Sequence, residues 1–106
     1  MDSDIIWLSA ASHELETELD YVFCRFGFLS ARKAYEIIMK RICLLPSFPH
    51  LGTLYYGLLY LGNEVRQLHI RHVTIFYSPC GNMITILAVW NNSKNPENIT
   101  ERLQVE

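Results

Sequence analysis

The spacing of apolar residues changes once along this chain, near Gly52, and the change separates a helical part from a part built of strands. Residues 4–8 form a short run in which Ile5, Ile6 and Trp7 stand together, long enough for one strand and too short for a helix. Ser9 is placed to cap a helix, and Leu15, Leu19, Val22, Phe23 and Phe26 then recur at helical spacing. Glu14, Glu16, Glu18 and Asp20 occupy the other side until Gly27 stops the pattern. Ser30 opens a second helix with Ala34, Ile37, Ile38, Ile42 and Leu45 on one stripe and Lys33, Lys40 and Arg41 facing away. Pro46 ends it. The short turn at 27–29 predicts an antiparallel helical hairpin.

Residues 46–52 carry two prolines and end on Gly52, which makes them a rigid, non-repetitive linker. Beyond it come four candidate strands: the Tyr- and Leu-rich run 54–61, then 64–70, 73–78 and 83–89. Gly62-Asn63 serves as the first hairpin turn, and Pro79-Cys80-Gly81-Asn82 as a later one. The last strand is apolar at both parities, which predicts cover on both faces and a central place in the sheet. Asn95 and Pro96 open a short terminal helix that runs to Leu103. The expected fold is α+β: an N-terminal strand, a two-helix hairpin, an antiparallel sheet of three to four strands and a short C-terminal helix. Leu15, Leu19, Val22, Ile37, Ile38 and Ile42 should face Ile75, Ile84 and Ile86 across the core.

With 106 residues, half of them apolar, the chain has material for one core, so residues 1–106 are expected to form a single domain. Nine Lys and Arg against eleven Asp and Glu give a formal charge of -2, so no global field draws in nucleic acid and any phosphate site must be local. The acidic start, Met1-Asp2-Ser3-Asp4, is unlike a secretory signal, and the apolar run 54–61 is too short to span a bilayer as a helix. A cytoplasmic protein without a membrane partner is expected. Cys24, Cys43 and Cys80 are odd in number and lack ligand spacing, and their apolar neighbourhoods predict buried, reduced thiols. No histidine pair has metal-ligand spacing with a carboxylate, so neither a metal nor a small-molecule cofactor is expected.

Several segments in this order carry a family resemblance: Trp7-Leu8-Ser9, Asp20-Tyr21-Val22, the linker from Leu45 to Gly52, Val65-Arg66-Gln67-Leu68, Ile75-Phe76-Tyr77 and the exit from Asn91 to Pro96. Together they resemble the RelE/ParE family of bacterial toxins, over nearly the whole chain. The resemblance implies a small toxin of a type II toxin-antitoxin system, of the kind associated with plasmid stabilisation and growth inhibition, held inactive by a cognate antitoxin. Its implied target is DNA gyrase on the ParE side of the family, or messenger RNA on the ribosome on the RelE side. Arg66 matches the family's strand arginine. Asn91 and Ser93 stand where members usually carry an acid-base residue and an arginine, and the overall charge is acidic where the family's is commonly basic. These departures favour a ParE-like toxin that binds its target over a RelE-like endoribonuclease, with a degenerate, non-toxic relative as the third reading.

Cleavage of RNA by 2'-hydroxyl attack needs groups that move protons and a cation for the phosphorane. If the chain is a nuclease, Arg66, His69 and Lys94 are the residues to carry it, with the guanidinium as phosphate ligand and the imidazole as proton shuttle. The alternatives are an Arg66 tied to Glu64, to the C-terminal segment or to backbone carbonyls, solvent-exposed turn histidines at His69 and His72, and a solvated Lys94. His13 and His50 read as surface and linker residues. The segment 54–61 is unusually apolar for a strand near a sheet edge, and Leu54, Tyr55, Tyr56, Leu59 and Tyr60, with Asn91 at the exit, are candidates for antitoxin docking. The competing reading is sheet core with a few exposed rings.

Overall fold

The computed structural model describes residues 4–94 and 98–105. Strand β1 (Ile5–Trp7) leads into helices α1 (Ser9–Phe26) and α2 (Phe28–Ile42), strands β2 (Thr53–Tyr60), β3 (Asn63–Ile70), β4 (Val73–Cys80) and β5 (Met83–Asn91), and helix α3 (Asn98–Val105). The strands form one sheet in the order β1-β5-β4-β3-β2. Strands β2 to β5 are an antiparallel meander, and β1 adds to β5 in parallel, with Ile5, Ile6 and Trp7 opposite Ile84, Thr85 and Ile86. The α+β expectation holds: the N-terminal strand and the four antiparallel strands form one sheet, which the parallel pairing of β1 makes mixed.

The two faces of the sheet carry separate apolar clusters. Ala11 and Leu15 from the start of α1 meet Ile38 and Ile42 from the end of α2, as in an antiparallel pair, and both pack on Ile75, Ile84, Ile86 and Val89. On the reverse face, Ile99 and Leu103 of α3 cover Val65, Phe76, Leu87 and Ala88. Strand β5 serves both clusters through its alternating side chains, and the shift in its pairing with β4 between Phe76–Ala88 and Tyr77–Ile86 puts the consecutive Leu87 and Ala88 in the same cluster. Its apolar character at both parities therefore has the anticipated cause.

Helix boundaries depart from the sequence expectations. Ser9 is the first helical residue, and the extended Leu8 precedes it with no side-chain cap. Gly27 alone joins the helices, its φ of 91° serving as C-cap of α1 and N-cap of α2, so Ser30 lies inside α2 rather than capping it. Helix α2 stops at Ile42, and hydrogen-bonded turns from Arg41 to Phe48 carry the chain past Pro46, which therefore does not terminate the helix. Leu45 is nonetheless fully buried. The first hairpin turn is Leu61-Gly62, both at positive φ, one residue earlier than Gly62-Asn63. Phe23 and Phe26 are exposed, which narrows the α1 stripe to Leu15, Leu19 and Val22. All three cysteines are free and exposed, not buried: Cys24 is on the solvent side of α1, Cys43 follows the end of α2, and Cys80 is the last residue of β4. Asn95 and Pro96, placed at the start of the terminal helix, lie outside the described residues.

Candidate functional site

Arg66 stands on β3 opposite Leu54 of β2 and Tyr77 of β4, on the face that carries the helix pair. Its side chain is only 14% exposed, and two of its nitrogens are engaged: Nε donates to Glu64 Oε2, and Nη1 donates to the carbonyl of Gly52 at 2.7 Å. Tyr77 completes the arrangement. Its hydroxyl accepts from the Gly52 N–H at 2.9 Å and donates to the Pro49 carbonyl at 2.8 Å. Burial pushes the Tyr77 phenol above its ordinary value, against the pull of the Gly52 N–H and the Arg66 charge, so the ring keeps the proton it donates. Gly52 has no room for a side chain, because a Cβ there would lie 2.6 Å from the Gln67 carbonyl oxygen. Arg66 and Tyr77 thus clamp the linker where it enters β2, using the partners that a scaffold role requires.

His69 lies three residues along the same strand and so projects from the opposite face. There it forms a chain with Thr74, its cross-strand neighbour, and Asn92: His69 Nδ1 to Thr74 Oγ1 is 2.7 Å and Thr74 Oγ1 to Asn92 Oδ1 is 2.6 Å. With Asn92 Oδ1 as acceptor, Thr74 spends its proton on the amide and must accept from Nδ1–H, which leaves the lone pair of a neutral His69 on Nε2. Lys94 is exposed and sits 5.3 Å from the ring centre of Trp90, which is Thr74's partner across β4 and β5. His69 and Lys94 therefore share one face, and Arg66 occupies the other. The three residues needed for phosphodiester cleavage are not brought together.

Asn91 points back to the helix-pair face, where its amide donates to both carboxylate oxygens of Glu18 at 3.0 and 3.1 Å and its Oδ1 accepts from the Ser93 N–H and hydroxyl. It is separated from β2 by two strands. On β2 itself the apolar segment divides between the two faces, with the alternation reversed across the pairing slip near Gly57. Tyr55, Leu58 and Tyr60 pack on the α3-side cluster, with the Tyr55 ring edge-on to Phe76 and its hydroxyl bonded to Thr100. Leu54 and Leu59 face the other way, opposite Arg66 and Glu64. Tyr56 and Leu59 are 84% and 68% exposed, and among the described residues no strand pairs with the outer side of β2. Among the described residues no group of His, Cys, Asp and Glu is arranged to hold a metal ion, and no helix is long and apolar enough to cross a membrane.

Sequence reasoning missed a second polar assembly at the far side of the sheet. Strand β1 ends at Trp7, leaving the rest of β5 without a strand on the side away from β4. Glu14 fills the gap by accepting from the Val89 N–H at 3.0 Å, and Arg102 of α3 donates to the Leu87 carbonyl at 3.0 Å while binding both Glu14 oxygens. An ion pair thus replaces the missing strand. Thr74, Tyr77 and Gly52 were also absent from the candidate set. Each acts through a distant partner, and no local spacing flags that.

The family model described as ParE toxin of type II toxin-antitoxin system, parDE, matches residues 5–96. Among solved structures, the chain resembles one titled "Chromosomal ParDE TA system from P. aeruginosa" with a TM-score of 0.67 at 20% identity, covering 83% of this chain and 94% of that one. No curated protein matches the chain. The family match spans everything from the first residue of β1 to beyond the end of β5, the clamp around Arg66 included, and on that extent the chain belongs to the ParE toxin family.

Proposed function

We propose that residues 1–106 form one toxin domain that acts in the cytoplasm to inhibit growth by binding a protein target, DNA gyrase being the target the family resemblance suggests, and that a cognate antitoxin neutralises it. The observation that carries this reading is the position of Arg66. A guanidinium engaged by Glu64 and the Gly52 carbonyl, on the face away from His69 and Lys94, is spent on holding the linker and is not aimed at a substrate phosphate. The antitoxin is placed along β2, where Tyr56 and Leu59 are exposed beside an unpaired strand edge. A disordered tail adds there as a strand, taking its affinity from main-chain hydrogen bonds and its specificity from the outward side chains. Of the docking set, Leu54, Tyr56 and Leu59 supply that surface. Tyr55 and Tyr60 support the strand from beneath, and Asn91 lies on another strand and belongs to the α1 contact.

The nuclease reading keeps one supporting observation, the tautomer of His69, whose open Nε2 is a proton acceptor beside Lys94's face of the sheet. Induction in bacteria separates the readings. Binding to gyrase produces a DNA-damage response and inhibits supercoiling by the purified enzyme, with transcripts intact in parent and Arg66→Ala alike. Cleaved transcripts that disappear with His69→Ala or Arg66→Ala would replace the proposal with the nuclease, and neither effect would leave a non-toxic relative.

A further inference from the structure

Charge is divided unevenly along the chain. No Asp or Glu occurs from residue 65 to residue 96, whereas the same stretch holds Arg66, His69, Arg71, His72 and Lys94, in a chain whose formal charge is -2. Arg66 is spent on the clamp, and the other four lie at one end of the sheet, where Asn92 ties their segments together. The Asn92 N–H donates to the His72 carbonyl at 2.8 Å, its side-chain amide donates to the Arg71 carbonyl at 3.4 Å, and its Oδ1 accepts from the Thr74 hydroxyl that holds His69. Among the described residues no carboxylate pairs with Arg71 or Lys94. Glu18, which shares a cavity wall with Arg71 and His72, is held by the Asn91 amide. Trp90 adds a donor to this corner: its Nε1–H is buried with no acceptor among the described residues, and the Lys94 ammonium lies 5.3 Å from the centre of the same ring.

We infer that this corner is a contact site for the phosphate backbone of duplex DNA. Cations without carboxylate partners beside an N–H without an acceptor are what an oxygen-rich anion satisfies. A phosphate at the open Nε2 of His69 also draws a proton onto the ring, because Thr74 already takes Nδ1–H. A single strand would need an open aromatic face for its bases, and the Trp90 ring is instead packed on the α3-side cluster with Lys94 over it. Contacts of this kind fix position without reading sequence. The role of the contact rests on the proposed target: a toxin seated on an enzyme that works on DNA would hold the DNA as well as the protein.

The probe is a labelled DNA duplex of mixed sequence, titrated with the full chain at low salt and read by fluorescence anisotropy. A single DNA strand, an RNA of the same sequence and a Glu-rich peptide serve as competitors. The duplex is expected to bind whatever its sequence, with an affinity that falls steeply as salt rises. Arg71→Glu and Lys94→Glu should each weaken it about tenfold, and the two Ala variants should each lower the slope of log affinity against log salt by about 1. Lys40→Glu, the same charge change on the exposed side of α2, should have little effect. Trp90→Phe, which keeps a ring and removes the N–H, should weaken binding about threefold. Melting curves report folding, and the exposed Arg71 and Lys94 keep the test open if Trp90→Phe does not fold. Absent duplex binding, an equal loss in Lys40→Glu, or stronger competition by the single strand, the RNA or the peptide would overturn the inference, the peptide by assigning the corner to a protein. Gyrase captured without DNA should bind the parent, Arg71→Glu and Lys94→Glu alike, while inhibition of supercoiling weakens in both variants. Gyrase that does not bind the parent removes the target reading and leaves the duplex contact, whereas gyrase binding without duplex binding removes the contact alone.

Discussion

The two edges of the sheet are finished in opposite ways. At β5 the open stretch beyond β1 is closed from within: Glu14 takes the Val89 N–H, and Arg102 takes the Leu87 carbonyl. At β2, among the described residues, no strand pairs with the outer side, Tyr56 and Leu59 are turned to solvent, and Gly57 has a positive φ where the pairing with β3 slips. Exposed edges invite pairing with other chains, and proteins ordinarily block them. The stretch of β5 beyond β1 is capped by a partly buried ion pair linking two helices, whereas the outer side of β2 is presented. The contrast argues that β2 is kept open for a partner, since the same chain has the means to close an edge.

Breaking the closed edge should have the largest effect. Glu14→Ala leaves the Val89 N–H unpaired and strips the Arg102 guanidinium of a partner at a site where the two side chains are 20% and 18% exposed, at a cost of about 2–4 kcal/mol. Urea denaturation measures it, and a loss below about 1 kcal/mol would mean that water replaces the pair. The anchor of β2 comes next. Gly52→Ala pushes a Cβ against the Gln67 carbonyl oxygen and the Tyr77 hydroxyl, and about 1–3 kcal/mol of stability should be lost with the clamp.

The same clamp carries a pH signature. The folded Tyr77 phenol titrates above its unfolded value near 10.0, so its contribution is complete below that pH and fades as pH rises through the raised folded value. Stability should fall on the alkaline side, and Tyr77→Phe, less stable at neutral pH, should show a flatter alkaline limb. A parallel alkaline decline in parent and variant would remove Tyr77 as the cause. The smallest effect on folding belongs to the open edge: Tyr56→Ser with Leu59→Ser should change stability by no more than about 0.5 kcal/mol while markedly weakening the complex with the antitoxin.

What could be read in advance follows the range of the interactions. The helix stripes, the change of period at Gly52 and the double-faced β5 are patterns within single elements, and Ile38, Ile42, Ile75, Ile84 and Ile86 all lie where those patterns put them. The clamp and the edge cap are not patterns of that kind. Arg102 and Glu14 are 88 residues apart, and Tyr77 reaches Pro49 across 28. Neither pairing leaves a mark in the local sequence. The cysteines illustrate a related limit, because apolar neighbours in sequence did not become neighbours in space at Cys24, Cys43 or Cys80. The mixed character of residues 54–61 was visible as apolarity, but its division into supporting and exposed side chains depends on the pairing slip near Gly57, which only the fold defines.

Hydrogen exchange on the toxin, with and without the product of an adjacent antitoxin gene, compares the two sides of the sheet in one experiment. Backbone amides of β2 are expected to gain strong protection in the complex, whereas Val89, already bonded to Glu14, should exchange as it does in the free protein. Unchanged exchange along β2 in a complex that forms would mean that the partner binds elsewhere, and new protection at Val89 would place it against the capped stretch of β5.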